Sequence, residues 1–149
     1  MHESGDLFYL NQEDGYIMAT TAAVNPWTWQ DKFGFSQGIE VRRTERVLYC
    51  AGQTSVDADG NLLHAGDFTK QILKAIDNLE EVLEKSGLKL SDVVRLNYYV
   101  TDINAYMAAA PAFGGRLHAA GCTPASTLLK VAGLFHPDML VEIEATAAS

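Results

Sequence analysis

Glu142 and Glu144 sit two residues apart in the segment VEIEATA. On a β-strand both side chains leave the same face, away from Val141 and Ile143, about 7 Å from each other. Two carboxylates at that separation suit general acid-base work. They equally suit a solvated sheet face, and spacing alone favours that plainer assignment. The second candidate is Gly52 in CAGQT, at the end of an apolar run. A glycine there either lets a ligand or backbone come close or forms a bulge, and both options stay open. The chain has no P-loop, GxGxxG or HExxH motif, and no Ser-His-Asp order can be argued.

The remaining chemistry-bearing residues are dispersed. Cys50 and Cys122 lie far apart in no metal-ligand spacing, and His2, His64, His118 and His136 are not paired at helical spacing with another ligand type. No metal site and no cofactor are expected. The net charge is −8, from 11 Lys and Arg against 19 Asp and Glu. Nucleic-acid binding depends on neutralising phosphates, so this balance argues against it, and against an anionic membrane surface. The single basic cluster, RRTER at 42–46, reads as a turn with solvated charges. No apolar run reaches 18 residues, and the opening MHESGDLFYLNQEDG lacks the basic start and apolar stretch of a signal peptide. No membrane span and a cytoplasmic location are expected.

These candidates need elements to position them, and 149 residues suit one domain. Residues 1–33 read as a leader that packs on the domain of residues 34–149. Within the leader, YIMATTAAV suits a short edge strand, and Trp27 and Trp29 in NPWTWQDKFG must pack on something, either as a lid on the core or a subunit contact, or as walls of a ligand cleft. The alternation of FSQGIEVRR predicts a half-buried strand. The run Val47–Ala51 predicts a central strand buried on both faces, forming a hairpin with the preceding one. From Asp67 the period becomes 3.6, with Phe68, Ile72, Ala75, Ile76, Leu79, Val82 and Leu83 on one stripe. Asp67 is a suitable N-cap and Gly87 a suitable residue just past the C-terminus. A strand over SDVVRLNYYVTD follows, with Val94, Leu96, Tyr98 and Val100 on one face and Arg95, Asn97 and Tyr99 on the other. A second helix over about 103–119 must accommodate Pro111, Gly114 and Gly115 by a kink or a tight contact. Strands at about 126–131 and 140–147 close the chain. The fold class is α+β, a mixed sheet with both helices on one face. Tyr49, Tyr99, Leu128 and Leu140 make the open face partly apolar, which predicts a homo-oligomer.

FGFSQGIEV, VLYCAGQTSVDADGN, AIDNLEEVLEKSGL, VVRLNYYVTDIN and TPAS…VEIEATA together resemble the YjgF/Rid family of enamine/imine deaminases, over about residues 34–147. The resemblance implies a chorismate-mutase-like fold, a homotrimer, and small-molecule sites in clefts between subunits. It implies that Glu142 positions the attacking water; Gly52 and Gln53 of the family pattern are also kept. It also identifies departures. Ser126 stands where the family strand that begins Pro-Ala-Arg has its carboxylate-binding arginine, Phe35 where it has a tyrosine, and Ala51 where it has a serine. Lys130 shares the strand face of Ser126 but lies roughly 13 Å along it, too far to replace the arginine. Arg95 or a neighbouring subunit's residue is the remaining option. The expected activity is hydrolysis of an imine or enamine less acidic and more apolar than 2-aminoacrylate, in a cleft shaped by Phe35, Trp27, Trp29, Tyr99 and Leu128, with Ser126 offering a neutral hydrogen bond. The alternative is a non-catalytic trimer that binds a small ligand or a partner. A ribonuclease role, attached to some family names, conflicts with the charge.

Overall fold

The computed structural model describes residues 19–149. Its scaffold is a four-stranded mixed sheet in the order β3 (Val47–Tyr49), β6 (Val141–Ala148), β4 (Val93–Val100), β5 (Ala125–Lys130), with β4 and β5 parallel and the other pairs antiparallel. Helices α1 (Phe68–Lys85) and α2 (Ile103–Ala119) cover one face. A separate two-stranded ribbon pairs β1 (Thr20–Val24) with β2 (Gly38–Arg42). The α+β class and the two helices are as expected from the sequence.

The core follows the two periods. Ile72, Ala75, Ile76, Leu79 and Leu83 of α1 are fully buried against Leu96 and Val100 of β4 and Val141 and Ile143 of β6. Tyr98 extends this layer toward α2, packing with Tyr106 and Phe113 at centroid separations of 5.4 and 5.8 Å. Asp67 caps α1 by accepting from the Lys70 amide at 3.0 Å, and Asp102 caps α2 by accepting from the Ala105 amide at 3.1 Å. Gly87 takes φ +72 just past α1, and the Leu88 amide bonds back to the Leu83 carbonyl at 2.9 Å, closing the helix.

Four expectations are corrected. The hairpin between residues 38–42 and 47–51 does not form, because β2 pairs with β1 and the Glu45 and Arg46 amides both bond to the Ser149 carbonyl, at 2.8 and 3.0 Å. That contact delivers the chain to β6 instead. Consequently β3 is an edge strand, and Val47 and Tyr49 are exposed rather than buried. A register shift between Val93 and Arg95 places Val93, not Val94, in the core. Finally, α2 runs unbroken across Pro111, whose surroundings are exposed, so the carbonyl it leaves unpaired can face water. A methyl group on Gly114 or Gly115 would meet nothing within 4 Å, so the tight contact expected there is absent. Residues Tyr16–Met18 of the expected N-terminal strand lie outside the described residues.

Candidate functional site

Val141, Ile143 and Ala145 are drawn into the core, so the pleat sends Glu142 and Glu144 out of the open face. The two carboxylates then meet different surroundings. Glu144 accepts from the Tyr99 hydroxyl in a short hydrogen bond and from the Asn97 Nδ2 at 3.2 Å. The Tyr99 bond, then the Asn97 bond and more weakly Arg95, hold its carboxyl below the ordinary value. The same bond to Glu144 pushes the Tyr99 hydroxyl up. Among the described residues no donor side chain is hydrogen-bonded to Glu142 in this way.

Glu142 is placed instead by backbone. Beyond β3 the chain continues along β6: the Cys50 amide bonds to the Ala145 carbonyl at 2.8 Å, and Gln53 and Ile143 exchange both amide bonds, at 2.6 and 3.0 Å. Gly52 therefore lies beside Glu142. A methyl group built on Gly52 would overlap the Glu142 Oε1 and stand 2.7 Å from its Cδ. Both options for Gly52 are realised: residues 50–52 stand opposite only 144 and 145 between the Tyr49–Thr146 and Gln53–Ile143 pairs, a one-residue bulge, and the group that comes close is the chain's own carboxylate. The Gln53 amide folds back on the Ala51 carbonyl at 3.2 Å, and Ala51 and Gly52 are exposed.

The other candidates gather elsewhere. Ser36 bridges to Ala125, with its amide on the Pro124 carbonyl and its hydroxyl on the Thr123 carbonyl, both at 2.9 Å. This ties Phe35 to the start of β5. Trp29 packs edge-on to Phe35 with centroids 5.8 Å apart, while Trp27 and Trp29 remain 58% and 54% exposed. The buried Gln30 holds the turn by donating to the Trp27 carbonyl at 2.7 Å. Ser126 is in register with Leu96, and Leu128 with Tyr98, so both side chains share the helix-covered side of the sheet. Leu128 packs against the core, as does Leu140, which precedes β6. Their expected place on the open face is corrected: the parallel register with β4 gives that face to Thr127 and Leu129.

The candidate residues thus fall into two groups within one chain. Ala51, Gly52 and Gln53 run along β6 on the β3 side, and Glu142 and Tyr99, in register on β6 and β4, project from the open face. Ser126, Leu128, Phe35, Trp27 and Trp29 belong to the β5 edge. β4 separates β6 from β5, a spacing of about 10 Å across two ladders, and Ser126 and Glu142 project to opposite faces. Arg95 cannot serve beside Ser126 within the chain, since it lies on the open face with its guanidinium on the Thr127 hydroxyl at 3.3 Å. Asn97 was not singled out from the sequence as a site residue. Its signal was the polar alternation of β4, which put it on the open face but named no partner. Among the described residues no group of three His, Cys, Asp or Glu side chains converges as a metal would need.

Comparison with known proteins gives the family. The family model described as Endoribonuclease L-PSP matches residues 30–149. The chain belongs to the YjgF/Rid family. A RutC family protein of Pyrococcus abyssi is 29% identical over 113 residues, covering 76% of this chain and 84% of that one. A 2-iminobutanoate/2-iminopropanoate deaminase of Dermatophagoides farinae is 31% identical over 74 residues, 50% of this chain and 56% of that one. Among solved structures, the Rid-family protein YyfB of Yersinia pestis superposes with a TM-score of 0.78 at 36% identity, covering 87% of this chain and 98% of that one. The Escherichia coli YjgF gene product gives 0.63 at 27% identity, covering 76% and 87%. The Rid fold is therefore shared over nearly all of the described chain. No helix among the described residues is long and apolar enough to cross a membrane.

Proposed function

We propose that this Rid-family chain hydrolyses an imine or enamine, working as a homotrimer with Glu142 as general base. The observation that carries this reading is the seat of the Glu142 carboxylate beside Gly52, where the backbone of Ala51 and Gly52 is exposed and close by. A carboxylate so placed can take a proton from water as its oxygen adds to the C=N carbon, while the nitrogen gains a proton. Collapse of the resulting carbinolamine breaks the C–N bond, releases ammonia and leaves a carbonyl. The deaminase among the relatives supports this class of reaction.

The separation of the candidate residues into two groups supports the trimer: the β5 edge of one copy can complete the Glu142 side of another. Tyr49, 81% exposed, and Leu129, 50% exposed, give the open face apolar groups that a second copy would cover. Ser126 stands at the position of the family's carboxylate-binding arginine, and a hydroxyl cannot replace its bidentate contact. The substrate in this reading is less acidic and more apolar than 2-aminoacrylate, with Phe35, Trp27 and Trp29 walling the β5 side and Ser126 offering a neutral hydrogen bond; Leu128 belongs to the core behind them. The charge of −8 disfavours a nucleic-acid substrate.

The test is imine hydrolysis with a panel of acidic, aliphatic and aromatic imines generated by an amino-acid oxidase, beside Glu142→Ala. Acceleration should favour apolar members and fall by about 10²–10⁴-fold in the variant. Sedimentation should give three copies. A second reading, a trimer that binds a ligand without turnover, is favoured by Phe35 and Ala51, which lack the hydroxyls of the family tyrosine and serine. It becomes the better one if no imine is hydrolysed faster.

A further inference from the structure

Helix α1 faces the sheet with an apolar stripe interrupted by two amides, Gln71 and Asn78, seven residues and so about two turns apart on one side of the helix. Gln71 is fully buried and uses every polar atom. Its Nε2 donates to the His64 carbonyl at 3.2 Å and the Asp138 carbonyl at 2.9 Å, and its Oε1 accepts from the Leu140 amide at 2.9 Å. Asn78 donates from Nδ2 to the Thr54 carbonyl at 2.9 Å and the Val56 carbonyl at 3.0 Å.

One of these five bonds goes to the His64 carbonyl, which also accepts from the Asp67 amide at the start of α1. The other four go to backbone just after Gln53 or just before Glu142. Asn78 grips the segment directly after Gln53. Gln71 grips Leu140, two residues before Glu142, while the Leu140 carbonyl accepts from the Thr101 amide at 3.1 Å. The two grips are joined: the Ser55 hydroxyl and the Leu63 amide bond reciprocally to the Leu63 and Ser55 carbonyls, both at 2.8 Å, and Val56 bridges to Leu62. The circuit runs from Asn78 through 54–56 and 62–64 to Gln71 and on to β6. A buried amide with all its bonds made fixes backbone position in a way an apolar residue of the same size cannot.

We infer that Gln71 and Asn78 are positioning residues that hold Gly52 and Glu142 in register. This rests on the Glu142 site proposed above only for its catalytic consequence; the positional claim stands on the hydrogen bonds.

Amide exchange at Gln53 and Ile143, followed by NMR on the full chain, reads the register directly. Asn78→Asp keeps the side-chain shape and turns a donor into an acceptor facing two carbonyls. Gln71→Met keeps the length and removes all three bonds. In either variant, exchange at Gln53 and Ile143 should rise about tenfold or more relative to Leu96 and Val100 in β4, and kcat for the imine should fall about tenfold with KM little changed. Arg116→Leu is the control for general destabilisation. It removes the ion pairs from α2 to Asp77 and Glu80 of α1, at 2.6 and 2.9 Å, and should lower Tm without that selective rise. The inference is overturned if Asn78→Asp raises exchange at Gln53 and Ile143 only in step with Leu96 and Val100, or not at all. Should Gln71→Met fail to fold, Asn78→Asp decides. If the parent protein hydrolyses no imine, the proposed function fails while the exchange result still judges the clamp.

Discussion

The two faces of β6 are made by alternate residues of one strand, yet different forces hold them. On the helix side Val141, Ile143 and Ala145 are buried among the side chains of α1 and β4, and their positions follow from packing. On the open side Glu144 is held by two side-chain hydrogen bonds, and Glu142 has room for its carboxylate because residue 52 is a glycine. A change of volume should therefore cost most on the packed face, and a change in where a carboxylate points should matter most on the open one. Packing and polar contacts are thus separated by the pleat of a single strand.

The largest effect should come from the packed face. Ile143→Ala removes a fully buried side chain from the centre of the sheet and should cost about 2–5 kcal/mol in urea unfolding. Glu144→Gln, one residue away on the other face, should cost far less. Equal losses would break the comparison.

Next is Gly52→Ala. The added methyl group collides with the far end of the flexible Glu142 side chain rather than with backbone, so the strand need not move. Tm should stay within a few degrees while turnover falls on the order of 10²-fold, the usual consequence of misplacing a reacting group by about 1 Å. Loss of stability in proportion to activity would show that Gly52 serves the fold instead.

The helix caps give a smaller effect. Asp67→Ala and Asp102→Ala should each cost about 1 kcal/mol by thermal or urea unfolding, since each removes an acceptor from one amide at the start of its helix. These caps were plain in the sequence for α1, where Asp67, the 3.6-residue stripe and Gly87 agree. Alternation likewise gave the inward set of β6. What local pattern cannot give is the choice of partner. Val47, Leu48 and Tyr49 read as a buried strand because an apolar run looks the same whether its neighbours are core or a surface left open at a sheet edge. The hairpin failed for a related reason, since the bonds from Glu45 and Arg46 go to Ser149, remote in sequence. Leu128 was placed on the wrong face because only the register with β4 decides which β5 residues look outward. At the site, Glu142 was identified through the family resemblance, but its contact with Gly52 joins residues far apart in the chain. The separate fate of Glu144 depends on Tyr99 and Asn97 across a ladder. Neither is visible in spacing.

The smallest effect tests the open face by itself. Glu144 is held below the ordinary carboxylate value chiefly by the Tyr99 hydroxyl, so Tyr99→Phe should raise the Glu144 pKa toward that value, read by carboxyl-carbon NMR across an acid titration. A carboxylate depressed in the folded state stabilises above its unfolded pKa, and that contribution is lost as pH falls through the folded value. The bond also raises Tyr99, whose share is complete below the ordinary phenol value and is lost as pH rises through the folded one. Tyr99→Phe should therefore lower stability by a pH-independent amount between those limits, less than a cap removal because the pair is solvent-screened. The difference should shrink at both acidic and strongly basic pH. A stability difference that persists below the carboxylate range would assign the role of Tyr99 to ring packing, and the open face would then depend on the same forces as the packed one.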